Sequence, residues 1–126
     1  FACMAPPDQT PALRELIRSF IHPWANAQVS GNHDWSFILH ASFSKGKVLK
    51  KCAELLGVPK QNIIAIGDGV NDITMLDGSI AGLVGCPANA SQEVTAAVKA
   101  AGGIVADEES AAGTLQILKY YLRDRT

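Results

Sequence analysis

The sequence predicts an α/β protein whose parallel, Rossmann-like sheet is flanked by helices, on three observations. Strand-like and helix-like segments alternate through most of the 126 residues. Ile63 to Ile66 is a continuous apolar run, the pattern of a strand buried on both faces. It leads into Gly67-Asp68-Gly69-Val70-Asn71-Asp72, a glycine turn in the position where open α/β sheets place their ligands.

The elements follow from local pattern. Leu13, Leu16, Ile17 and Phe20 share one helical face, which predicts a helix over Thr10 to Phe20 with Thr10 as its cap and Pro11 at its first position. After Pro23, Ala27 to Ser30 reads as a strand, Gly31-Asn32-His33-Asp34 as a turn, and Trp35 to His40 as a second strand. Lys47 to Leu56 is helical, with Val48, Leu49, Cys52, Leu55 and Leu56 on one side; Gly57 ends it and Pro59 prevents its continuation. Beyond the strand Ile63 to Ile66, a helix starts at Ile73 to Leu76 and Ala81 to Val84 forms a short strand. Ser91 to Ala101 is a helix opened by Ser91 with Glu93 in its first turn, Gly103 to Ala106 a strand, and Ala111 to Leu122 a closing helix. The expected boundary lies near Gly31 to Trp35.

Composition narrows the functional classes. Hydrophobic residues make up 48%, enough for a packed core, and 11 basic residues against 12 acidic ones give a net charge of -1. That balance gives no electrostatic reason to expect nucleic acid or an anionic membrane as partner, and the apolar stretches are too short to span one. The opening residues show no basic region followed by an apolar stretch before Pro6-Pro7-Asp8, so no signal peptide is expected. Cys3, Cys52 and Cys86 form no Cys-x-x-Cys pair and read as reduced thiols of a cytoplasmic protein. His22, His33 and His40 lack metal-site spacing, and solvent-facing or capping roles are expected for them.

The chemistry concentrates in the glycine turn. Asp68 and Asp72 stand four apart, so a helix beginning near Val70 brings both carboxylates to one point beyond the strand, a seat for a hard divalent cation. A plainer reading competes, with Gly69 serving a tight turn and Asn71 or Asp72 capping a helix.

Upstream, Ser44-Lys45-Gly46 opens a helix, and one helix and one strand join it to Gly67-Asp68-Gly69-Val70-Asn71-Asp72. In that order and spacing the two segments resemble the third and fourth motifs of the haloacid dehalogenase-like hydrolases, in particular the capped sugar-phosphate phosphatases. Pro87-Ala88-Asn89-Ala90 resembles a later Asn-Ala segment of the same family. The resemblance covers about Ser36 to Leu122 well and the first 35 residues loosely. It implies a remnant of an α/β cap over residues 1–35 and the carboxyl-terminal half of the core over 36–126. The turn also resembles the hinge motif of P-type cation pumps; the Ser-Lys-Gly spacing and the Asn-Ala segment favour the soluble phosphatases.

The resemblance further implies a phosphomonoesterase that uses Mg2+. Asp68 would ligate the metal, Asp72 would fix it directly or through a coordinated water, Asn71 would donate its amide to a phosphate oxygen, and Lys45 would bind the same phosphate as a catalytic cation. The nucleophile that the resemblance calls for, the first aspartate of Asp-x-Asp, has no counterpart: the nearest text, Met75-Leu76-Asp77, has methionine where the nucleophile would be and lies in the wrong place, immediately after the metal motif. This leaves two expectations. Either this chain is the carboxyl-terminal part of a longer phosphatase, its partner being the missing amino-terminal half and its substrate a small phosphate ester, or it is a remnant that binds an anion, a metal or a partner chain without turnover. Ser30 to Trp35 loosely resembles the return segment of sucrose-phosphate and mannosyl-phosphoglycerate phosphatases, which makes a sugar phosphate the expected substrate.

Overall fold

The computed structural model describes residues 1–24, 26–32 and 34–123. They form two compact units that divide between Ser44 and Lys45.

The first unit is an antiparallel sheet with one helix. Strands β1 (Ala2–Met4), β2 (Ala27–Asn32) and β3 (Trp35–His40) are ordered β1-β3-β2, with Ala2 opposite Phe37 and Asn32 opposite Trp35. The two expected strands therefore pair antiparallel, the first running two residues beyond Ser30; His33 of the predicted turn lies outside the described residues. β1, too short to show alternation, was not predicted. Trp35 to His40 pairs on both sides within this sheet, with β1 and with β2.

Helix α1 (Thr10–Ile21) has Pro11 in its first turn as expected, but Thr10 is not its cap. The Gln9 and Thr10 amides both donate to the Pro6 carbonyl, at 2.9 and 3.0 Å, so helical winding begins one residue early. The Thr10 hydroxyl is then left to donate backwards, to the carbonyls of Pro6 at 3.0 Å and Ala5 at 3.2 Å. Arg14 of this helix donates from Nη2 to the Trp35 carbonyl at 2.9 Å and from Nε to the buried Ser36 hydroxyl at 3.3 Å, which ties α1 to β3.

The second unit is a three-stranded parallel sheet flanked by helices, as the sequence predicts. Its strands β4 (Ile64–Ile66), β5 (Leu83–Cys86) and β6 (Ile104–Val105) lie in the order β4-β5-β6, with Ala65 opposite Val84 and Cys86 opposite Val105. The helices are α2 (Lys45–Leu56), the single-turn α3 (Ile73–Leu76), α4 (Gln92–Ala100) and α5 (Ser110–Leu122). Ser91 caps α4 by accepting the Val94 amide at 3.3 Å, with Glu93 in the first turn, as expected. β5 begins at Leu83 rather than Ala81, because pairing starts where Ile64 faces Leu83; Ala81 is instead fully buried in the core.

That core joins Ile63, Ala65, Leu76, Ala81, Val84, Cys86, Val94 and Val98. Complete burial of a side chain such as Leu76 or Val94 contributes roughly 1.5–3 kcal/mol. Helix α2 joins it through a narrower stripe than its pattern suggests. Gly46 is buried and Leu49 and Ala53 pack on the core, whereas Val48, Leu55 and Leu56 remain 48%, 74% and 76% exposed. Among the described residues, no helix is long and apolar enough to cross a membrane.

Candidate functional site

The site is assembled where the chain leaves β4. The Gly67 amide continues the ladder by donating to the Gly85 carbonyl at 3.3 Å, after which the backbone turns through Asp68 and Gly69 into a single 3-10 turn, Val70–Asp72. Asp72 closes this turn from within. Its carboxylate is 4% exposed, and Oδ2 accepts the amides of Asp68 at 3.1 Å and Gly69 at 3.2 Å. Such an arrangement requires glycine at position 67: a Cβ there would stand 2.6 Å from both Cβ and Oδ2 of Asp72.

Lys45 reaches the other oxygen. Its ammonium donates to Asp72 Oδ1, forming an ion pair with the lysine side chain half exposed and the aspartate almost wholly buried. Gly46 makes the reach possible, since its amide donates to Thr74 Oγ1 at 3.0 Å and any Cβ at 46 would collide with the Thr74 carbonyl. The close approach of α2 to α3 thus delivers Lys45 to the turn. Ser-Lys-Gly is a packing motif as much as a charge.

Asp68 is different. It is exposed, and its backbone carbonyl accepts the Ser91 amide at 3.0 Å, which leaves the carboxylate projecting from a fixed turn. Lys45, Asp68 and Asp72 line one cleft of about 300 Å³, together with Met75, Pro87, Ser110 and Thr114. Asn71 does not line it; its Oδ1 is buried and has no hydrogen-bond partner among the described residues.

The donor set decides what kind of metal site this can be. Both oxygens of Asp72 are already engaged, one by an ammonium and one by two amides, whereas Asp68 is an available hard oxygen ligand. Among the described residues no three His, Cys, Asp or Glu side chains gather around one point. Of the two carboxylates, Asp68 is therefore the one placed to reach a hard cation directly. Chemically, the cleft offers one carboxylate for such a cation and one ammonium for an anion beside it.

Sequence reasoning missed Ser110 and Thr114. Both come after β6, and the signal for them was topological: every parallel strand ends on the side where ligands bind, so the first helical residue after β6 was a candidate.

A sequence model of the haloacid dehalogenase-like hydrolases matches residues 4–118. The chain is 38% identical over 80 residues to a phosphoglycolate phosphatase of Methanopyrus kandleri, covering 64% of this chain and 32% of that protein. It is 40% identical over 65 residues to the 5-amino-6-(5-phospho-D-ribitylamino)uracil phosphatase of Bacillus subtilis, covering 52% of this chain and 23% of that one. The crystal structure of a Streptococcus mutans protein shares the fold with a TM-score of 0.76 at 21% identity, over 98% of this chain and 44% of that one. The chain thus spans less than a third of each of these two curated relatives. With a match to the family over most of its length and a fold shared with solved structures, the chain belongs to the haloacid dehalogenase-like hydrolases.

Proposed function

We propose that this chain carries the metal and phosphate subsites of a magnesium-dependent phosphatase that hydrolyses a sugar phosphate or similar small ester through an aspartyl phosphate. The observation that carries this reading is the Lys45–Asp72 ion pair set beside the available carboxylate of Asp68 in one cleft. The first unit is then the end of a cap, the second the carboxyl-terminal half of a catalytic core, and the attacking aspartate comes from the missing amino-terminal half. The two curated relatives are named as phosphatases of small phosphate esters, which supports the reaction class. Free cysteines at 3, 52 and 86 fit a cytoplasmic setting.

Within this reading the residues divide the work. Asp68 ligates Mg2+, which when bound neutralises phosphate oxygens. Asp72 holds the Lys45 ammonium and the two turn amides at fixed positions, acting toward the metal through a coordinated water. Lys45, half exposed and already oriented, offers its remaining donors to the phosphate and offsets repulsion between it and an approaching carboxylate. Asn71 contributes its amide to a phosphate oxygen once the substrate closes on the turn.

The test is a magnesium titration of the chain followed by backbone amide NMR. Shifts should localise to Gly67 through Asp72 and vanish in Asp68→Asn. Shifts scattered over surface acids, or unchanged in that variant, would reject Asp68 as the ligand.

A further inference from the structure

The cleft has a wall that the metal and phosphate reading leaves unused. Ser110, the first residue of α5, and Thr114, one turn later, line it with Lys45, Asp68 and Asp72. They come after β6 whereas Asp68 comes after β4, so the order β4-β5-β6 sets their chain exits two strand spacings, about 10 Å, apart. A residue so placed meets a substrate several bonds away from phosphorus.

Ser110 is held there under strain. Among the described residues it is the single non-glycine with positive φ, at 49°. Its amide donates to Asn89 Oδ1 at 2.8 Å, and its carbonyl accepts the Thr114 hydroxyl at 3.1 Å. Side chains therefore fix both of its backbone polar groups and use up the Thr114 hydroxyl as a donor. The Ser110 hydroxyl itself is exposed and has no protein partner among the described residues. Backbone strain that the surroundings impose in this way collects at ligand sites.

Charge sets the kind of group it meets. Among the described residues Lys45 is the single cationic side chain lining the cleft, and it is already paired with Asp72. The other charged side chains that line the cleft, Asp68 and Asp72, are both acidic. A leaving group with its own carboxylate would be repelled there, while a hydroxyl, both donor and acceptor, matches a serine hydroxyl.

We propose that Ser110 is the specificity-determining residue of this cleft, its hydroxyl hydrogen-bonding a hydroxyl of an uncharged, polyhydroxylated leaving group. The inference rests on the phosphate subsite proposed above.

The experiment compares three probes on the 126-residue chain with Mg2+ present, by NMR titration: orthophosphate, ribitol 5-phosphate and phosphoglycolate. Ribitol 5-phosphate should bind about three- to tenfold more tightly than orthophosphate, the worth of one neutral hydrogen bond, and phosphoglycolate should show no such preference. In Ser110→Ala the ratio should fall to about one. Ser110→Gly adopts the same φ without strain and should lose the preference equally, which separates the hydroxyl from the backbone. A preference that survives in both variants, an equal affinity for polyol phosphate and orthophosphate in the wild type, or a preference for phosphoglycolate overturns the role of Ser110 and leaves the phosphate subsite standing. No orthophosphate binding by the wild type would overturn the subsite, and this inference with it.

Discussion

Lys45 and Asp72, separated by 27 positions, form an ion pair whose two ends have unequal surroundings: the ammonium is half in water and the carboxylate is buried. The aspartate also satisfies the amides of Asp68 and Gly69, so it anchors the turn as well as the lysine.

That inequality predicts unequal mutants. Asp72→Ala strips acceptors from an ammonium and two amides and should cost about 2–4 kcal/mol of stability. Lys45→Met takes the counter-charge from a buried carboxylate but leaves it both amides, a smaller loss of about 1–2 kcal/mol. Urea unfolding of the two variants measures the difference. Equal losses would mean that the pair, and not the carboxylate, organises the turn.

Gly46→Ala should destabilise by about 2 kcal/mol or more, although alanine is the better helix former by about 1 kcal/mol. The added methyl meets the backbone carbonyl of Thr74, which cannot turn aside as a flexible side chain can. Thermal unfolding checks this, and the same variant should weaken phosphate binding because α2 must withdraw and take Lys45 with it. A variant of unchanged stability would show that α2 and α3 are not in close contact.

How much of this was legible in the sequence depends on the range of the interaction. The glycine turn after Ile66 and the helix beginning at Lys45 announce themselves locally, through an apolar run and a Ser-Lys-Gly start. The cap of α1 did not, because the Pro6 carbonyl accepts two amides and draws Thr10 into the helix. Nor did the place of Trp35 to His40, which depends on strand partners more than 30 positions away for β1. Helix periodicity marked Leu55 and Leu56 as a packed face, yet packing follows the Gly46, Leu49, Ala53 stripe set by contact with α3. Within the site, Lys45, Asp68 and Asp72 were readable by type and spacing. The double engagement of Asp72 was not, and neither was the wall formed by Ser110 and Thr114, since both depend on how three strand ends meet.

Thiol chemistry gives an independent check on the packing of β5. Cys52 is exposed, whereas Cys86 is fully buried at the end of β5, where desolvation pushes its thiol above the ordinary range. Alkylation followed by mass spectrometry should label Cys52 first, Cys3 more slowly, and Cys86 only on unfolding. Early labelling of Cys86 would contradict the core described for the second unit.

Lys45 and Asp68 should also couple in ligand binding, since both act on one phosphate charge, directly or through the cation. The double variant Lys45→Met with Asp68→Asn should lose less orthophosphate affinity than the two single losses combined in free energy. Isothermal titration of the four proteins yields the coupling, and strict additivity would place the two residues in separate sites.

The most direct measurement records binding and chemistry together on the purified chain, with an aryl phosphate and Mg2+ present. The 31P resonance of the ester should shift and broaden in a manner that Lys45→Met weakens, while no phenol is released above background, because the chain holds the phosphate and lacks the attacking aspartate. Magnesium-dependent phenol release that Asp68→Asn abolishes would contradict the absence of a nucleophile, and an unperturbed 31P resonance would contradict the phosphate site itself.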